Sequence, residues 1–212
     1  PYRIDLAGGW LDQPFVSKFS EGPVITISVE VEFEVNQRSG MASSTHRAAR
    51  EIWGHQIPAL PLEKAARLLF AFDNPPGKKD ISGSQDAIGI VFPGVNYLYY
   101  NANYWPEYIQ SCLDEDVLRW LEQKIFLIAI PPRPQGFEVL DIQNVNEKSA
   151  RELSMAAKGV WDSILKKDVV ALGECVTQSL LAQRDMFPMM WNASFDELLA
   201  PIKDQILGYK IS

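Results

Sequence analysis

The chain has 212 residues, of which 47% are hydrophobic and 22% charged, a composition typical of one large folded domain or of two small domains sharing a core. A net charge of −7, with no basic stripe between aromatic residues, argues against nucleic acid or an anionic membrane as a partner. The apolar runs are too short to span a membrane, no signal peptide is visible, and Cys112 and Cys175 lack metal-ligand spacing. We therefore expect a cytoplasmic protein with reduced thiols.

The first segment predicts a strand that runs into a glycine turn. Residues 3–6 alternate between polar and apolar types, and the glycines that follow break the strand before Trp10 and Asp12. A carboxylate accepts hydrogen bonds from sugar hydroxyls, and an indole stacks on a ring face. The alternative is an Asx-turn at Asp12 with Trp10 filling the core.

A long strand is predicted over residues 24–35, because β-branched residues dominate and alternation is strict from Ile27 onward. Glu30, Glu32 and Glu34 then share one face of the strand. We interpret that face as solvated and not as a metal site.

A loop over residues 39–45 leads into a helix over residues 46–53. Gly40 frees the backbone, hydroxyl residues follow it, and the alanine-rich segment favours helix. Such a loop offers backbone N–H groups to an anion, and a serine hydroxyl can ligate Mg²⁺. The alternative is an ordinary serine N-cap.

The next helix is predicted over residues 61–73, and residues 74–77, with two prolines and a glycine, end it. Asp73 stands at the C-terminal end of this helix, where the helix dipole disfavours a carboxylate. Another group is therefore expected to hold Asp73 there.

A lone carboxylate, Asp86, lies in the run of small residues from 81 to 90. Gly83 and Gly89 let another backbone or a ligand approach closely. Asp86 can accept a proton from a substrate hydroxyl or hold a metal, and the alternative is that it caps a buried helix.

The rest of the chain predicts strands and helices in alternation. A buried strand over residues 124–130 is halted by Pro131 and Pro132. The chain opens and stops inside strand-like runs, which predicts a fragment. The other predicted elements are a strand at 95–100, helices at 114–123, 149–165, 168–184 and 195–207, and a strand-like end at 208–212.

Four stretches, taken together, resemble the motifs of the GHMP kinase superfamily in their order. Residues 3–12 (RIDLAGGWLD) resemble the opening of its fucokinase-like and heptose-phosphate-kinase-like branch, and residues 39–44 (SGMASS) resemble its phosphate loop. Residues 83–86 (GSQD) with 93–96 (PGVN) resemble the G-x-Q-D-Q segment and the turn after it. Residues 208–212 (GYKIS) resemble the start of its last motif.

The resemblance implies an α+β fold of the two-lobed GHMP kinase type. Residues 1–123 would form an N-terminal domain around a mixed sheet with helices. Residues 124–212 would form a truncated C-terminal domain in which helices back an antiparallel sheet.

The implied activity is transfer of the γ-phosphate of ATP, with Mg²⁺, to a hydroxyl of a sugar or sugar phosphate. The implied partners are that small molecule and a second copy of the chain in a homodimer. By resemblance, Asp86 and Arg3 are the catalytic residues. The remaining implied residues are Asp12, Trp10 and Gly9 for the sugar, Gly40, Ala42, Ser43 and Ser44 for the phosphates, and Ser44 and Asp73 for the metal.

The alternative function is a catalytically impaired binding or regulatory protein on the same fold. It follows from the interval of only 27 residues between Asp12 and Gly40, and from Met41-Ala42 where the family has Leu-Gly. Arg133 is the candidate replacement for the arginine that the family carries after its mid-chain strand.

Overall fold

A computed structural model describes residues 1–31, 40–128, 130, 143–191 and 193–212. The account of the fold concerns these residues. Arg133, Glu32 and Glu34, which the sequence singled out, lie outside them. Among the helices in the described ranges, none combines the length and the apolar character needed to cross a membrane.

The described residues form four strands and eight α-helices, with short 3₁₀ turns at Pro188–Met190 and Lys203–Gln205. The strands are β1 (Tyr2–Ala7), β2 (Gly22–Val29), β3 (Val95–Tyr100) and β4 (Tyr108–Cys112). The first helices are α1 (Pro14–Ser17), α2 (Ser43–Trp53), α3 (Leu62–Asp73) and α4 (Ser84–Val91). The later helices are α5 (Glu115–Glu122), α6 (Glu147–Lys166), α7 (Val169–Met186) and α8 (Ala193–Leu199).

The four strands form one sheet in the order β1-β2-β3-β4, and every neighbouring pair is antiparallel. Arg3 on β1 lies opposite Ser28 on β2, and a register shift separates Asp5 from Ala7. The sequence-based expectation of a mixed sheet is therefore wrong for the described residues. A parallel pair needs a crossover that returns in the same direction, and even the helical connection from β2 to β3 brings the chain back antiparallel.

Both faces of the sheet are covered, because alternate residues of its central strands join different cores. One core combines side chains from the sheet with α3 and α4, and includes Val24, Leu98, Tyr100, Leu69 and Ile88. The other combines the sheet with α5 and α6, and includes Ile25, Val95, Tyr97, Leu121 and Trp161. The charged residues of β1 and α4 therefore lie at the edge of well-packed apolar material.

Elements with strong local signals are confirmed. The strand at 95–100 coincides with β3, and the helices predicted at 114–123, 149–165 and 168–184 correspond to α5, α6 and α7. Side-chain caps begin all three helices, since Asp114, Asn146 and Asp168 each accept a hydrogen bond from a backbone N–H of the first turn.

Strand β2 ends at Val29, earlier than the predicted end at residue 35. Glu30 is exposed, as expected for a solvated face, and has left the sheet. The period-2 pattern continues past Val29, but residues 30 and 31 have no ladder partner in the described part of the chain.

The buried strand predicted at 124–130 is wrong for the residues that the structure describes. Residues 124–128 form no strand, and Phe126, Leu127 and Ile128 are exposed, Phe126 to 83%, while Ile125 is half-buried. A strand needs a neighbour to satisfy its backbone groups, and none of the described strands pairs with this segment.

The single helix predicted at 195–207 is divided. Helix α8 ends at Leu199, and Pro201 separates it from the 3₁₀ turn at Lys203–Gln205, because proline lacks the N–H that a helix interior requires. The strand-like end predicted at 208–212 is wrong, because these residues have no regular secondary structure and do not join the sheet.

Candidate active site at the start of helices α2 and α4

An ion pair between β1 and α4 lies at the centre of the site. Arg3 Nη2 donates to Asp86 Oδ1, and the two side chains are 10% and 22% exposed. The Arg3 side chain passes over Gly89, where a Cβ would overlap Arg3 Cγ. Asp86 is in the first turn of α4, and its carboxylate pairs with Arg3 and does not cap the helix. The expected juxtaposition of Arg3 and Asp86 is confirmed, and their roles stay a prediction.

Asp12 belongs to the same cluster and is 1% exposed. Its Oδ1 accepts a hydrogen bond from Gln85 Nε2 at 3.0 Å, whereas its Oδ2 has no partner among the described residues. A Cβ on Gly83, the N-cap residue of α4, would overlap Asp12 Oδ2. Gly83 therefore makes room for a carboxylate at the N-terminus of α4, where the helix dipole favours it.

Burial and mutual charge shift the pKa values of this cluster. Burial, reinforced by the negative charge of Asp86, raises the pKa of Asp12 to about 7. Burial also raises the pKa of Asp86, although Arg3 opposes the shift. Burial disfavours the charged guanidinium of Arg3, yet the carboxylates of Asp86, Asp5 and Asp12 raise its pKa above the ordinary value. Asp86 is consequently a better proton acceptor than an exposed aspartate.

The loop before α2 leads into a helix whose own first turn carries no acid. Met41 and Ala42 have left-handed backbones, with φ of 52° and 54°. Ala42 is the N-cap residue of α2, no side chain of the described residues caps it, and the first turn carries no acid. The Arg3 backbone N–H donates to Met41 O at 3.2 Å, which ties this loop to β1. The predicted phosphate residues Gly40, Ala42, Ser43 and Ser44 all lie in this loop and the first turn of α2.

Asp73 is held by a hydroxyl of α2. Thr45 Oγ1 donates to Asp73 Oδ2 at 2.8 Å, and the neighbouring Ser44 is exposed. The Thr45 hydroxyl is the group that the position of Asp73 at the end of its helix led us to expect. Within the described ranges, no cluster of three or more His, Cys, Asp or Glu side chains could hold a metal. Mg²⁺ does not require such a cluster, because it is bound by one or two carboxylates together with substrate phosphates.

The two remaining sugar candidates are engaged with the protein. The Trp10 ring stacks on Phe187, with ring centroids 4.3 Å apart, and Trp10 has a left-handed φ of 84°. The carbonyl oxygen of Gly9 accepts a hydrogen bond from Gln183 Nε2 at 2.8 Å. The interpretation of Trp10 as a core residue therefore describes one of its faces, and its role toward a sugar stays a prediction.

Sequence reasoning missed a second buried ion pair. Lys210 Nζ donates to Asp5 Oδ2 at 2.8 Å, and the two side chains are 6% and 10% exposed. We refer to Arg3, Asp5, Asp12, Asp86 and Lys210 as the charged cluster. A signal was present, since Asp5 and Lys210 each stand between apolar residues of strand-like runs. Shallow hollows of the surface lie near α3 and at the end of α7, and neither is lined by a member of the cluster.

Comparison with known proteins rests on structure. No family model and no curated protein matches the chain. A solved structure of a D-glycero-D-manno-heptose 1-phosphate kinase from Bacteriodes thetaiotaomicron matches with a TM-score of 0.61 and 13% identity, covering 100% of this chain and 83% of that chain. The chain therefore shares the fold of that solved structure. At this identity the likeness shows the fold alone, and the superfamily branch, the two lobes and the domain boundary after residue 123 stay predictions.

Proposed function

We propose that the protein transfers the γ-phosphate of ATP to a hydroxyl of a sugar or sugar phosphate. The observation that carries the proposal is the position of Arg3. Its side chain pairs with Asp86 in α4, and its backbone N–H bonds to the loop that begins α2. One residue thus joins a proton acceptor to a helix N-terminus that suits phosphate. The similarity of fold to a sugar-phosphate kinase supports the same conclusion.

In this proposal Asp86 orients the acceptor hydroxyl and takes its proton as the hydroxyl oxygen attacks the γ-phosphorus. The bond from the γ-phosphorus to the oxygen that bridges it to the β-phosphate breaks in the same transfer, and ADP leaves. The partial exposure of Asp86 leaves its carboxylate within reach of a substrate. Arg3 offsets negative charge on the transferred group. Phosphoryl transfer needs positioning and charge neutralisation more than covalent chemistry, and this pair supplies both.

The residues around α2 fit ATP and Mg²⁺. Gly40, Ala42, Ser43 and Ser44 would surround the phosphates, since the N-terminus of α2 has no acid in its first turn. Ser44 and Asp73 would hold the magnesium ion, with Thr45 orienting the Asp73 carboxylate. When bound, the ion would neutralise phosphate charge.

The unpartnered Oδ2 of Asp12 supports a sugar site beside Asp86. A buried carboxylate oxygen without a donor is costly, and a sugar hydroxyl would satisfy it. Gly9 and Trp10 lie in the turn between β1 and Asp12, so they would border the same ligand.

The second candidate is a binding or regulatory protein on the same fold, and Ala42 is the observation that favours it. A Cβ stands there on a left-handed N-cap, at the point where the phosphates would approach closely. In this case the chain would bind a sugar without turning over ATP.

The test is ADP release with fucose, galactose and heptose phosphates as acceptors, at millimolar ATP and Mg²⁺. We expect turnover with a member of this set that depends on both acceptor and metal. Sugar binding without ADP release, for every acceptor, would favour the second candidate and contradict the first.

A further inference from the structure

Arg3 and Asp5 lie two residues apart on β1, so their side chains emerge on the same face of the strand. Opposite charges at this spacing on a buried strand are natural partners. They do not bond to each other, because Arg3 donates to Asp86 and Asp5 accepts from Lys210. Each keeps a fully buried atom without a partner among the described residues, Nε of Arg3 and Oδ1 of Asp5.

Lys210 lies in the segment 208–212, which is anchored to α7 and β1 so that its ammonium group contacts Asp5. Gly208 lies directly against Gly173 of α7, where a Cβ on either residue would overlap the other segment's backbone. The Tyr209 backbone N–H donates to Thr177 Oγ1 at 3.1 Å, and the Asp5 N–H donates to Ser212 Oγ at 3.1 Å. The ammonium group of Lys210 is thereby fixed between α7 and β1.

The charges in the cluster are nearly balanced only when Lys210 is present. Asp5, Asp12 and Asp86 face the two cations Arg3 and Lys210. Without Lys210, the Asp5 carboxylate would be a buried charge with no counterion, and such a charge is strongly destabilising. Arg3 is the neighbouring cation that could relieve it.

We propose that Lys210 is a positioning residue, which holds the Asp5 carboxylate and so leaves the Arg3 guanidinium to pair with Asp86. The consequence for phosphoryl transfer rests on the function proposed above. The pairing itself does not depend on it.

The first experiment therefore measures pairing without activity. Carbon NMR titration of the aspartate carboxyl groups, assigned with Asp86→Asn, gives the pKa of Asp86 in the wild type, Lys210→Met and Asp5→Asn/Lys210→Met. The charged and titratable groups that act on Asp86 are Arg3 and Asp5 from β1, Asp73 from α3, Asp12 from the turn and Tyr100 from β3.

We expect Lys210→Met to raise the pKa of Asp86 by about one unit or more, because Arg3 turns toward Asp5. The double variant removes the competing anion and should return the value to that of the wild type. Lys148→Met, which removes an exposed lysine of α6, is the matched control and should leave the pKa of Asp86 unchanged. An unchanged pKa of Asp86 in folded Lys210→Met would overturn the proposal.

Two further variants keep the test decisive. Asp5→Asn leaves no competitor for Arg3, so it should not raise the pKa of Asp86, and a rise there would contradict the proposal. If Lys210→Met fails to fold, the double variant is compared with the wild type. Equal Asp86 pKa values support the proposal, and a raised value in the double variant overturns it.

The second experiment separates kcat from KM. Lys210→Met should lower kcat about tenfold or more with little change in the sugar KM, since Arg3 acts on the transferred group. The double variant should recover most of kcat, because it removes the anion that draws Arg3 away from Asp86, and a kcat as low in the double variant as in Lys210→Met would contradict the proposal. If the wild type shows no transfer, the proposed function fails, while the NMR result still decides the role of Lys210.

Discussion

Helices α2 and α4 both begin beside Arg3, and their N-termini differ in charge. The start of α4 is occupied by the chain's own carboxylates, with Asp86 in the first turn and Asp12 against Gly83. The start of α2 has neither an acid in its first turn nor a side-chain cap from the described residues. At α4 the helix dipole is met by Asp86 of the helix itself and by Asp12, whereas at α2 the nearby carboxylate, Asp73, comes from α3 and bonds to the Thr45 hydroxyl.

The difference assigns the two helices different tasks. In the proposed reaction the carboxylates at α4 would accept a proton and bind the ligand, while the uncapped end of α2 would bind phosphate. Arg3 connects the two, by its side chain to α4 and by its backbone to the loop before α2. Substitutions that exchange or remove these properties therefore test the proposal.

The largest effect is expected from Asp86→Asn, which removes the proton acceptor at α4. We expect kcat to fall at least about a hundredfold, the usual contribution of a positioned general base, with the circular dichroism spectrum unchanged. Asp116→Asn, at an exposed aspartate in the first turn of α5, is the control. Near wild-type turnover in Asp86→Asn would remove that residue from the mechanism.

Asp12→Asn changes how stability depends on pH. The pKa of Asp12 is about 7 in the folded protein, above the value near 4 of an unfolded chain, so the folded state binds the proton more tightly. The stability contributed by Asp12 is therefore complete below about pH 4 and is lost as the pH rises through about 7.

Urea unfolding at several pH values measures this loss. Asp12→Asn should gain stability relative to the wild type with increasing pH, by at most about 4 kcal/mol, since one pKa unit corresponds to about 1.4 kcal/mol. For the Asp116→Asn control, the curve of unfolding free energy against pH should stay parallel to that of the wild type. Parallel curves for Asp12→Asn as well would show that Asp12 does not titrate in this range.

Gly83→Ala tests the space that α4 leaves for Asp12. Gly83 has φ of −68°, which alanine adopts freely, so the cost is the overlap of the new Cβ with Asp12 Oδ2. We expect a loss of about 1–3 kcal/mol in the free energy of unfolding. Gly54→Ala, at φ of 69° and ψ of −125° with open space around it, measures backbone strain alone, roughly 1–3 kcal/mol. An unchanged free energy of unfolding in Gly83→Ala would contradict the packing described.

The smallest effect is expected from Ala42→Gly, which removes the Cβ at the start of α2. Glycine adopts the left-handed backbone without strain and lets phosphate approach, so the affinity for a non-hydrolysable ATP analogue should rise a few-fold. Lys167→Gly, at the left-handed C-cap of α6, is the control and should relieve strain without changing that affinity. Equal effects of both variants on affinity would exclude Ala42 as a steric barrier.

The sequence predicted those parts of the fold that local signals determine. Periodic apolar positions and nearby polar residues such as Asp114 and Asp168 specify α5, α6 and α7 without reference to the rest of the chain. The segment at 124–128 has equally strong local strand character but forms no strand. Strand formation depends on a neighbouring strand, and no local pattern shows whether one is present.

The candidate site, like the fold, has one part that the sequence indicated and another that it did not. Small residues around Asp86 indicated a close approach, and the structure shows that Gly83 admits Asp12 and Gly89 admits Arg3. Asp5 and Lys210 are 205 residues apart in the sequence, and the local pattern around either residue does not predict that the two pair. Charges within apolar strands are the signal that points to such pairs.

Calorimetric titration with a non-hydrolysable ATP analogue and Mg²⁺ tests the central claim most directly, when the wild type is compared with Ser43→Asp. This substitution places an acid in the first turn of α2 and makes that turn resemble the first turn of α4. The account predicts that the wild type binds the analogue and that Ser43→Asp binds it at least about tenfold more weakly, with an unfolding temperature equal to or above that of the wild type. Equal affinity in the two proteins, or no binding by the wild type, would contradict it.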